Sequence, residues 1–256
     1  MFSNFARLQK LTIVVLALCS AAILTPGQAT AQKSSGVEFR ISPYLWLLSM
    51  DGTTAVLGED ADVDADFGDI LDVLNYALSL NMEWSTGKWF FVLDPMYADL
   101  EMDFAVPSPP APAPLGGKIE IELIIADAMV GYYFNDNFGI YAGARYYDQD
   151  ITIVPSGMAP SIPLGDDWTD FPLGARARGK IGDKWSLFGE MDVAVAGDSD
   201  SAFYAQVVFL RHFGENKHLD LGWRYYDVDY TSGSGLTLFK WDVAHSGPVV
   251  GFSWTF

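Results

Sequence analysis

The strongest constraint in this sequence is an apolar residue at every second position, a pattern that recurs in ten runs along the chain. In "YALSLNMEWS", for example, Tyr76, Leu78 and Leu80 alternate with small or polar residues. Successive side chains of a β-strand point to opposite faces, whereas an amphipathic helix repeats its apolar residues three and four positions apart. The pattern therefore predicts an all-β fold. The runs cover roughly residues 37–50, 76–86, 89–104, 118–133, 138–154, 168–181, 184–196, 203–213, 218–230 and 241–256.

The connections between these runs fall into two classes that alternate along the chain. "STGK", "FNDN", "GDK" and "GENK" are tight turns, whereas the other connections are longer and include residues 51–75 and "VPSPPAPAPLGG". Short and long connections in strict alternation are typical of an up-and-down barrel with short periplasmic turns and long external loops. Each run is long enough for a tilted crossing, which takes about 9–11 residues. We therefore predict an antiparallel transmembrane β-barrel of about ten strands, or of about eight or twelve if a run splits or a loop pairs.

The two faces of the predicted strands distinguish a membrane barrel from a soluble one. The apolar face carries wide aromatic and aliphatic side chains, and the polar face carries long charged ones. Because a barrel of this size cannot enclose the apolar set while the charged set points outward, we predict that the apolar face meets lipid. Tryptophans near the strand ends are expected to lie at the membrane interface. They are Trp84, Trp89 and Trp185 near short turns, and Trp46 and Trp168 near long loops. A secreted β-sandwich is the alternative interpretation.

The charged residues of the polar face are predicted to form an ion-pair network that fills the lumen and fixes the strand register. An unpaired buried charge costs several kcal/mol, so each charge needs a partner. A lumen of ten strands is too narrow for the open channel of a large porin, but a polar conduit or a binding site is the alternative interpretation. The network comprises Glu83, Asp94, Arg145, Arg176, Arg178, Glu190, Asp192 and Arg224, with Lys180 and Asp127 as further candidates.

The first 31 residues have the features of a secretory signal. Arg7 and Lys10 precede the apolar run "LTIVVLALCSAAIL", and small residues at Ala29 and Ala31 suit a cleavage site. We therefore predict a signal peptide over 1–31, cleaved near Ala31, and a single barrel domain over 32–256. An uncleaved membrane anchor is the alternative. Cys19 is the only cysteine of the chain and lies in this segment, so the mature domain is expected to lack disulfides.

Several segments resemble bacterial outer-membrane β-barrels, in particular a group of mostly uncharacterised small barrels. The resemblance rests on "DFGDILDVLN", "GKWFFVLDPMYADL", "YAGARYYD", "WTDFPLGARARGKIGDKWSLFGEMDVA", "LDLGWRYYDVDY" and the final "GPVVGFSWTF". It implies location in the outer membrane of a Gram-negative bacterium and contact with outer-membrane lipid. It also implies that the last strand is recognised by the barrel assembly machinery during biogenesis. The residues that match this assembly signal are Gly251, Phe252, Trp254 and Phe256.

The connection after the first run is strongly acidic. Residues 51–75 contain eight acidic residues and no basic one. Asp60, Asp62, Asp64 and Asp66 alternate, which in a strand would put four carboxylates on one side and offer oxygen ligands to calcium. The spacing does not match an EF-hand loop, which requires a glycine at its sixth position and a glutamate at its twelfth. A solvated acidic loop without metal is the alternative interpretation.

A short helix is predicted directly after these acids. Phe67, Ile70, Leu71 and Leu74 recur at helical spacing. Such a helix would pack on a barrel mouth or enter the lumen, and the alternative is a disordered surface loop. It is the only helix that we predict in the mature domain.

Catalytic function finds little support in the sequence. A barrel hydrolase or acyltransferase needs a histidine beside a serine or a carboxylate near the outer leaflet. His212 and His218 flank a short turn at the opposite end, and His245 has Ser246 beside it on the other face of its strand. We therefore predict no enzyme activity and no cofactor. The formal charge of −18 also argues against a nucleic-acid partner.

These observations together favour a membrane-embedded protein with a polar, largely plugged lumen and a structural or surface-interaction role. A narrow channel for small solutes is the second hypothesis. An outer-membrane enzyme that modifies lipid or cleaves protein is the third. The sequence does not indicate an oligomeric state.

Overall fold

The computed structural model describes residues 36–56, 59–106, 115–157 and 160–256, so the predicted signal peptide over 1–31 lies outside the described residues. The strands are β1 (Glu38–Trp46), β2 (Ser49–Val56), β3 (Glu59–Ala65), β4 (Leu74–Thr86), β5 (Trp89–Val106), β6 (Leu115–Tyr133), β7 (Phe138–Pro155), β8 (Ile162–Ile181), β9 (Trp185–Gly197), β10 (Ser201–His212), β11 (Lys217–Ser232) and β12 (Phe239–Thr255). Helix α1 spans Phe67–Val73, and a single 3-10 turn spans Gly235–Thr237. Within the described ranges, no helix has both the length and the apolar character needed to cross a membrane.

Ten of these strands form a closed antiparallel barrel. Each strand from β4 to β12 pairs with the next one along the chain, and β1 closes the cylinder by pairing with both β4 and β12. The prediction of an up-and-down barrel of about ten strands is therefore confirmed. The tight turns and the two chain ends of the barrel lie together at what we call the turn end, and the longer connections lie at the opposite loop end.

The acidic connection contains two additional strands, where the sequence predicted a loop followed by a helix. β2 continues the direction of β1 along β12, and β3 folds back on β2 as a hairpin. Alternation explains this, because Val63 on β3 packs against the core while Asp62 and Asp64 on the other face are exposed. A strand with one polar face is stable where that face meets water.

The predicted helix is present as α1 and follows β3. Asp66 is its N-cap: its side chain accepts a hydrogen bond from the backbone N–H of Asp69, and the Asp69 side chain accepts one from the N–H of Asp66. This reciprocal arrangement satisfies two backbone donors that a helix start otherwise leaves free. The helix contacts β3 and β5 at the loop end, and Leu71 is its buried residue.

The outer face of the barrel is an apolar band bounded by aromatic rings at both ends. Near the loop end, Tyr146 and Tyr225 point outward and donate hydrogen bonds to Asp148 (3.4 Å) and Asp227 (2.9 Å) on the same strands. Tyr97 lies at the same boundary on β5. The outward rings near the turn end are Trp84, Trp89, Tyr132, Phe138 and Trp254. Such paired girdles are characteristic of barrels that sit in a bilayer.

The closing contact between β1 and β12 requires a residue without a side chain at position 251. Gly251 faces inward and is paired with Tyr44, and a Cβ at this glycine would lie 2.9 Å from the Cβ of Tyr44. Beyond it, Trp254 pairs with Ile41, and the backbone of Phe256 exchanges hydrogen bonds with Phe39. The last residues of the chain therefore form the final rungs that close the barrel.

Candidate functional site in the barrel lumen

Three arginines project into the lumen and are almost completely buried. The period of two puts Arg145 of β7, Arg176 of β8 and Arg224 of β11 on the inner face of the barrel. Because the lumen is narrow, each guanidinium reaches acceptors on its own side of the barrel and on other strands. The arginines therefore define three clusters, which we name by their central residue.

The Arg176 cluster lies nearest the turn end. Its guanidinium donates to Glu83 (2.9 Å) and to Glu190, which it contacts through both Nε (3.1 Å) and Nη2 (2.9 Å). The same guanidinium lies over the rings of Phe90 (4.1 Å) and Phe188 (4.7 Å). The planar cation is thus held by two carboxylates and by contact with two aromatic rings.

The Arg224 cluster crosses the middle of the lumen. Arg224 donates to Gln206 (2.7 Å), to the hydroxyl of Tyr44 (2.8 Å) and to Asp94 (3.3 Å). Tyr44 in turn donates to Asp94 (2.6 Å), and Asn81 also donates to this carboxylate (3.0 Å). Five residues from five strands are therefore joined in one hydrogen-bonded layer.

The Arg145 cluster completes the charged part of the lumen. Arg145 binds Asp127 through Nε (2.6 Å) and Nη2 (3.1 Å), and it binds Asp192 through Nη1 and Nη2 (both 3.1 Å). The hydroxyl of Tyr141 donates to Asp192 (2.8 Å). Two carboxylates held by one guanidinium form a geometry that fixes the relative positions of strands β6, β7 and β9.

Seven of the eight residues predicted for the lumen network belong to these clusters, and one does not. Arg178 is exposed at the turn end, where its guanidinium stacks on Tyr133 (3.8 Å) and donates to the backbone carbonyl of Asp136 (3.0 Å). Lys180, two positions further on, is exposed as well. Both residues alternate with Arg176 on the inner side of β8. They lie closer to the turn end than the carboxylates of the facing strands, so they do not join the network.

The structure adds polar residues to the network that the sequence analysis did not single out. Arg40 binds Glu83 at 3.5 Å, and Tyr44 and Gln206 belong to the Arg224 cluster. The sequence of the first strand does indicate part of this set. Arg40, Ser42 and Tyr44 alternate along β1, and this alternation puts all three on the same face of the strand. The partners themselves depend on contacts across the lumen, which the local pattern does not encode.

The clusters leave little open space. Among the described residues, cavities of about 40 Å³ and about 20 Å³ lie beside the Arg224 cluster, and both are lined by Tyr44, Asp94 and Arg224. A single water molecule needs roughly 10–15 Å³ of cavity volume, so these spaces hold a few waters at most. The larger cavity extends toward Arg40 and Leu210, and the smaller one toward Trp46 and Arg145.

An aromatic layer fills the lumen on the loop-end side of the charged clusters. Trp168 stacks on Tyr147 (centroids 4.7 Å apart) and on Tyr230 (4.2 Å, 5° between planes). His245 packs against Trp46 and Trp241. The expectation that Trp46 and Trp168 lie at the membrane interface is therefore wrong. Trp46 shares the inward phase of Tyr44 on β1, and Trp168 shares that of Arg176 on β8, so both rings face the lumen although they lie near strand ends.

The residues considered for catalysis are not arranged as a catalytic pair at the loop end. His245 is buried in the aromatic layer, whereas Ser246 lies on the outer face and accepts a hydrogen bond from the indole of Trp223 (3.0 Å). The two side chains are thus separated by the wall of the barrel, as the alternation of a strand dictates.

A serine–histidine group lies instead at the turn end of the lumen, where the sequence analysis did not expect one. His212 and Ser186 are 2.7 Å apart, and Ser253 lies 3.4 Å from Nδ1 of His218. Ser253 also donates to Asp220 (3.0 Å). In a catalytic triad the carboxylate orients the histidine. Here it accepts from a serine, so the arrangement does not reproduce triad geometry.

The aspartates considered as calcium ligands project from the exposed face of β3. Asp60, Asp62 and Asp64 are exposed at alternate positions, and Asp66 is engaged as the helix cap. In the part of the chain that the structure describes, no group of three or more histidines, cysteines or carboxylates is arranged to hold a metal. Calcium binding there stays a prediction.

Comparison with solved structures places this architecture among known barrels. The translocator domain of the autotransporter NalP from Neisseria meningitidis matches with a TM-score of 0.50 and 13% identity, over 99% of this chain and 98% of that one. The fold is that of a bacterial outer-membrane β-barrel. No family model and no curated protein matches the sequence.

Two smaller outer-membrane barrels are also similar. Neisserial surface protein A matches with a TM-score of 0.33 and 14% identity, over 87% of this chain and 98% of that one. Ail, the attachment invasion locus protein of Yersinia pestis, matches with a TM-score of 0.33 and 12% identity, over 86% of this chain and 99% of that one. At these identities, the matches concern the fold alone.

Proposed function

We propose that this chain is an integral outer-membrane β-barrel with a closed polar lumen, which serves as a structural or surface-interaction protein rather than as a pore. The single observation that carries the proposal is the filling of the lumen. Around the Arg145, Arg176 and Arg224 clusters, the described residues line cavities of about 40 Å³ and about 20 Å³. A hydrated solute would have to displace several ion pairs to pass, and each pair is costly to break once buried.

The loop end supports a role at the surface. Strands β5 to β8 have 18 to 20 residues, about twice the length that a tilted crossing requires. They therefore extend beyond the apolar band. The outward residues above the tyrosines include many carboxylates, such as Asp99, Glu122 and Asp150. With the termini at the turn end, the loop end faces the exterior of a Gram-negative cell, and the mature domain follows signal cleavage near Ala31.

A narrow channel is the second candidate, and one observation favours it. The two cavities lie on either side of the Arg224 cluster and share Tyr44 and Asp94 in their linings. A rearrangement of that single layer would join them. An enzymatic role has no comparable support, because the histidines lack triad geometry.

Conductance of the purified mature protein in planar bilayers tests the closed lumen. We expect no discrete steps for the native barrel, and small steps for the double variant Tyr44→Ala/Arg224→Ala, which truncates two of the three side chains that line both cavities. Heat-modifiable migration on detergent gels controls for folding of both. Steps from the native protein would contradict the closed lumen and favour the channel.

We also propose that the barrel assembly machinery recognises the last strand through Gly251, Phe252, Trp254 and Phe256. Phe252 and Trp254 point outward toward lipid, and the backbone of Phe256 pairs with Phe39. Deleting Phe256 removes this last pair of hydrogen bonds and the stacking of its ring on Phe39 (centroids 6.2 Å apart). We therefore expect a severalfold loss of folded protein in the membrane together with little change in the unfolding midpoint of purified barrels. Normal membrane levels of the deletion would refute the assembly role.

A further inference from the structure

The lumen contains more carboxylates than cations. Between the aromatic layer and the exposed residues of the turn end, the inward positions of the described strands carry four guanidinium groups and six carboxylates. They are Arg40, Arg145, Arg176 and Arg224 against Glu83, Asp94, Asp127, Glu190, Asp192 and Asp220. Because an uncompensated charge is costly inside a protein, the excess of negative charge requires further cations or protons.

One of these carboxylates, that of Asp220 on β11, has no ion pair among the described residues. Asp220 is buried (7% exposed) and accepts a hydrogen bond from the hydroxyl of Ser253 (3.0 Å). Arg40 lines the same part of the lumen, but its ion pair is with Glu83 (3.5 Å). Since a serine hydroxyl is neutral, the negative charge of Asp220 is left without a counter-charge.

Asp220 lines the larger lumen cavity, of about 40 Å³, together with two side chains whose oxygens lack partners. Ser42 and Asn81 are paired residues of the β1–β4 ladder, and both line this cavity. Ser42 is 4% exposed, and neither its Oγ nor Oδ1 of Asn81 has a hydrogen-bond partner among the described residues. Asn81 is oriented by its Nδ2, which donates to Asp94 (3.0 Å). Two neutral oxygens and one carboxylate therefore meet at one cavity.

The charged groups around this cavity include one more negative than positive charge. Three guanidiniums and three carboxylates line it, and a fourth carboxylate, Glu83, is ion-paired to two of these guanidiniums. The lining groups are Arg40, Arg176 and Arg224 with Asp94, Glu190 and Asp220. Neither His212 nor His218 lines the cavity. One monovalent cation would therefore balance the charge, whereas a divalent cation would exceed it.

We propose that this cavity binds one alkali-metal cation, Na⁺ or K⁺, through the side-chain oxygens of Ser42, Asn81 and Asp220. Hard cations in proteins take carboxylate and amide oxygens and water as ligands. Since one water needs roughly 10–15 Å³, the cavity has room for about three groups of that size, which suits an ion that keeps one or two waters. This inference goes beyond the surface role proposed above and does not depend on whether the barrel conducts.

Ordered water together with a proton on Asp220 is the competing occupant. Water would satisfy the same oxygens, but it would not make the stability of the barrel depend on the cation of the salt. A ligand that binds only the folded state raises stability with the logarithm of its concentration once the site is nearly saturated. The test therefore measures the unfolding midpoint of the mature barrel in detergent by heat-modifiable migration, at about pH 8, where an ordinary histidine is neutral.

NaCl, KCl, choline chloride and CaCl₂ are compared at one ionic strength, because choline is too large for the cavity. The midpoint should rise in NaCl or KCl relative to choline chloride, by roughly 3–6 °C for each tenfold increase of the cation above its dissociation constant. The larger of the two responses identifies the ion. Equal midpoints in all four salts, or a rise in CaCl₂ alone, would overturn the proposal.

Matched variants locate the cation in the barrel. Ser42→Ala and Asp220→Asn should each lose the salt response, and Asp220→Asn should be at least as stable in choline chloride as the native barrel, because it removes an uncompensated charge. Ser79→Ala is the control, since Ser79 is also a buried serine but does not line the cavity, and it should keep the response. A full response in Ser42→Ala and Asp220→Asn, or an equal loss in Ser79→Ala, would overturn the proposal. Conductance steps together with the expected salt response would overturn only the closed lumen.

Discussion

The charged middle of the lumen and the aromatic layer above it fill the same barrel in different ways. In the middle, Arg145, Arg176 and Arg224 each meet at least two acceptors. Ser42 Oγ and Asn81 Oδ1 of the middle have no hydrogen-bond partner among the described residues, whereas in the aromatic layer five buried polar atoms have none. They are Nε1 of Trp46, Trp168 and Trp241, Nδ1 of His245 and Oε1 of Gln149.

This contrast separates two sources of specificity. Charged groups buried in a lumen tolerate no missing partner, so the middle fixes which residues face each other across the barrel. Aromatic rings are held by stacking and by excluded volume, and their buried N–H groups add no stability where they have no acceptor. We therefore expect the middle to be sensitive to chemistry and the aromatic layer to be sensitive to shape.

Arg145→Met should produce the largest effect. The substitution keeps most of the side-chain volume but leaves Asp127 and Asp192 buried without their cation. Breaking a buried pair in this way costs about 3–5 kcal/mol. The free energy of unfolding, measured by denaturant titration in detergent with a gel-shift readout, should fall by this amount.

The matched control for Arg145→Met removes the whole cluster. Arg145→Met/Asp127→Asn/Asp192→Asn leaves no uncompensated charge, so it should recover most of the lost stability. If the triple variant is as unstable as Arg145→Met, the loss of stability comes from packing. The charged middle would then not be more sensitive to charge than the aromatic layer is.

Much of the barrel could be predicted from the sequence because it depends on a local period. Alternation in segments such as Ile140 to Tyr147 gives the strands, and the turn classes give their order. The inward phase also assigned Arg145, Arg176 and Arg224 to the lumen. Trp168 was misplaced because the prediction used only its position near a strand end, whereas it shares the phase of Arg176, eight residues along β8, and therefore faces the lumen.

The features that escaped prediction depend on non-local pairing. The sequence of β3 is strongly acidic, and it forms a strand because β2 pairs with it. The position of β2 in turn depends on its pairing with β12. Which carboxylate meets which arginine depends on the stagger of the closed barrel. Arg178 has the same phase as Arg176 and still lies outside the network, since only its height along the axis differs.

Gly251→Ala should have an intermediate effect. The new methyl group would lie 2.9 Å from the Cβ of Tyr44, and Tyr44 holds both Arg224 and Asp94 through its hydroxyl. Overpacking of this kind costs typically about 1–3 kcal/mol. Thermal unfolding followed by heat-modifiable migration measures the change, and Gly179→Ala, where the nearest atom would lie 3.9 Å away, is the control. Equal effects of the two would show that the Arg224 layer tolerates displacement.

Trp168→Phe should have the smallest effect and gives the sharpest test of the aromatic layer. The substitution deletes the Nε1–H group, which has no acceptor among the described residues, and keeps a ring between Tyr147 and Tyr230. Removing an unsatisfied buried donor is favourable, and it offsets the smaller area of the new ring. We therefore expect the free energy of unfolding to change by less than about 1 kcal/mol, whereas Trp168→Ala should lose about 3–5 kcal/mol through the cavity it leaves. A large loss with phenylalanine would mean that the indole N–H is essential in the membrane-embedded protein, and the aromatic layer would then obey the same chemistry as the charged middle.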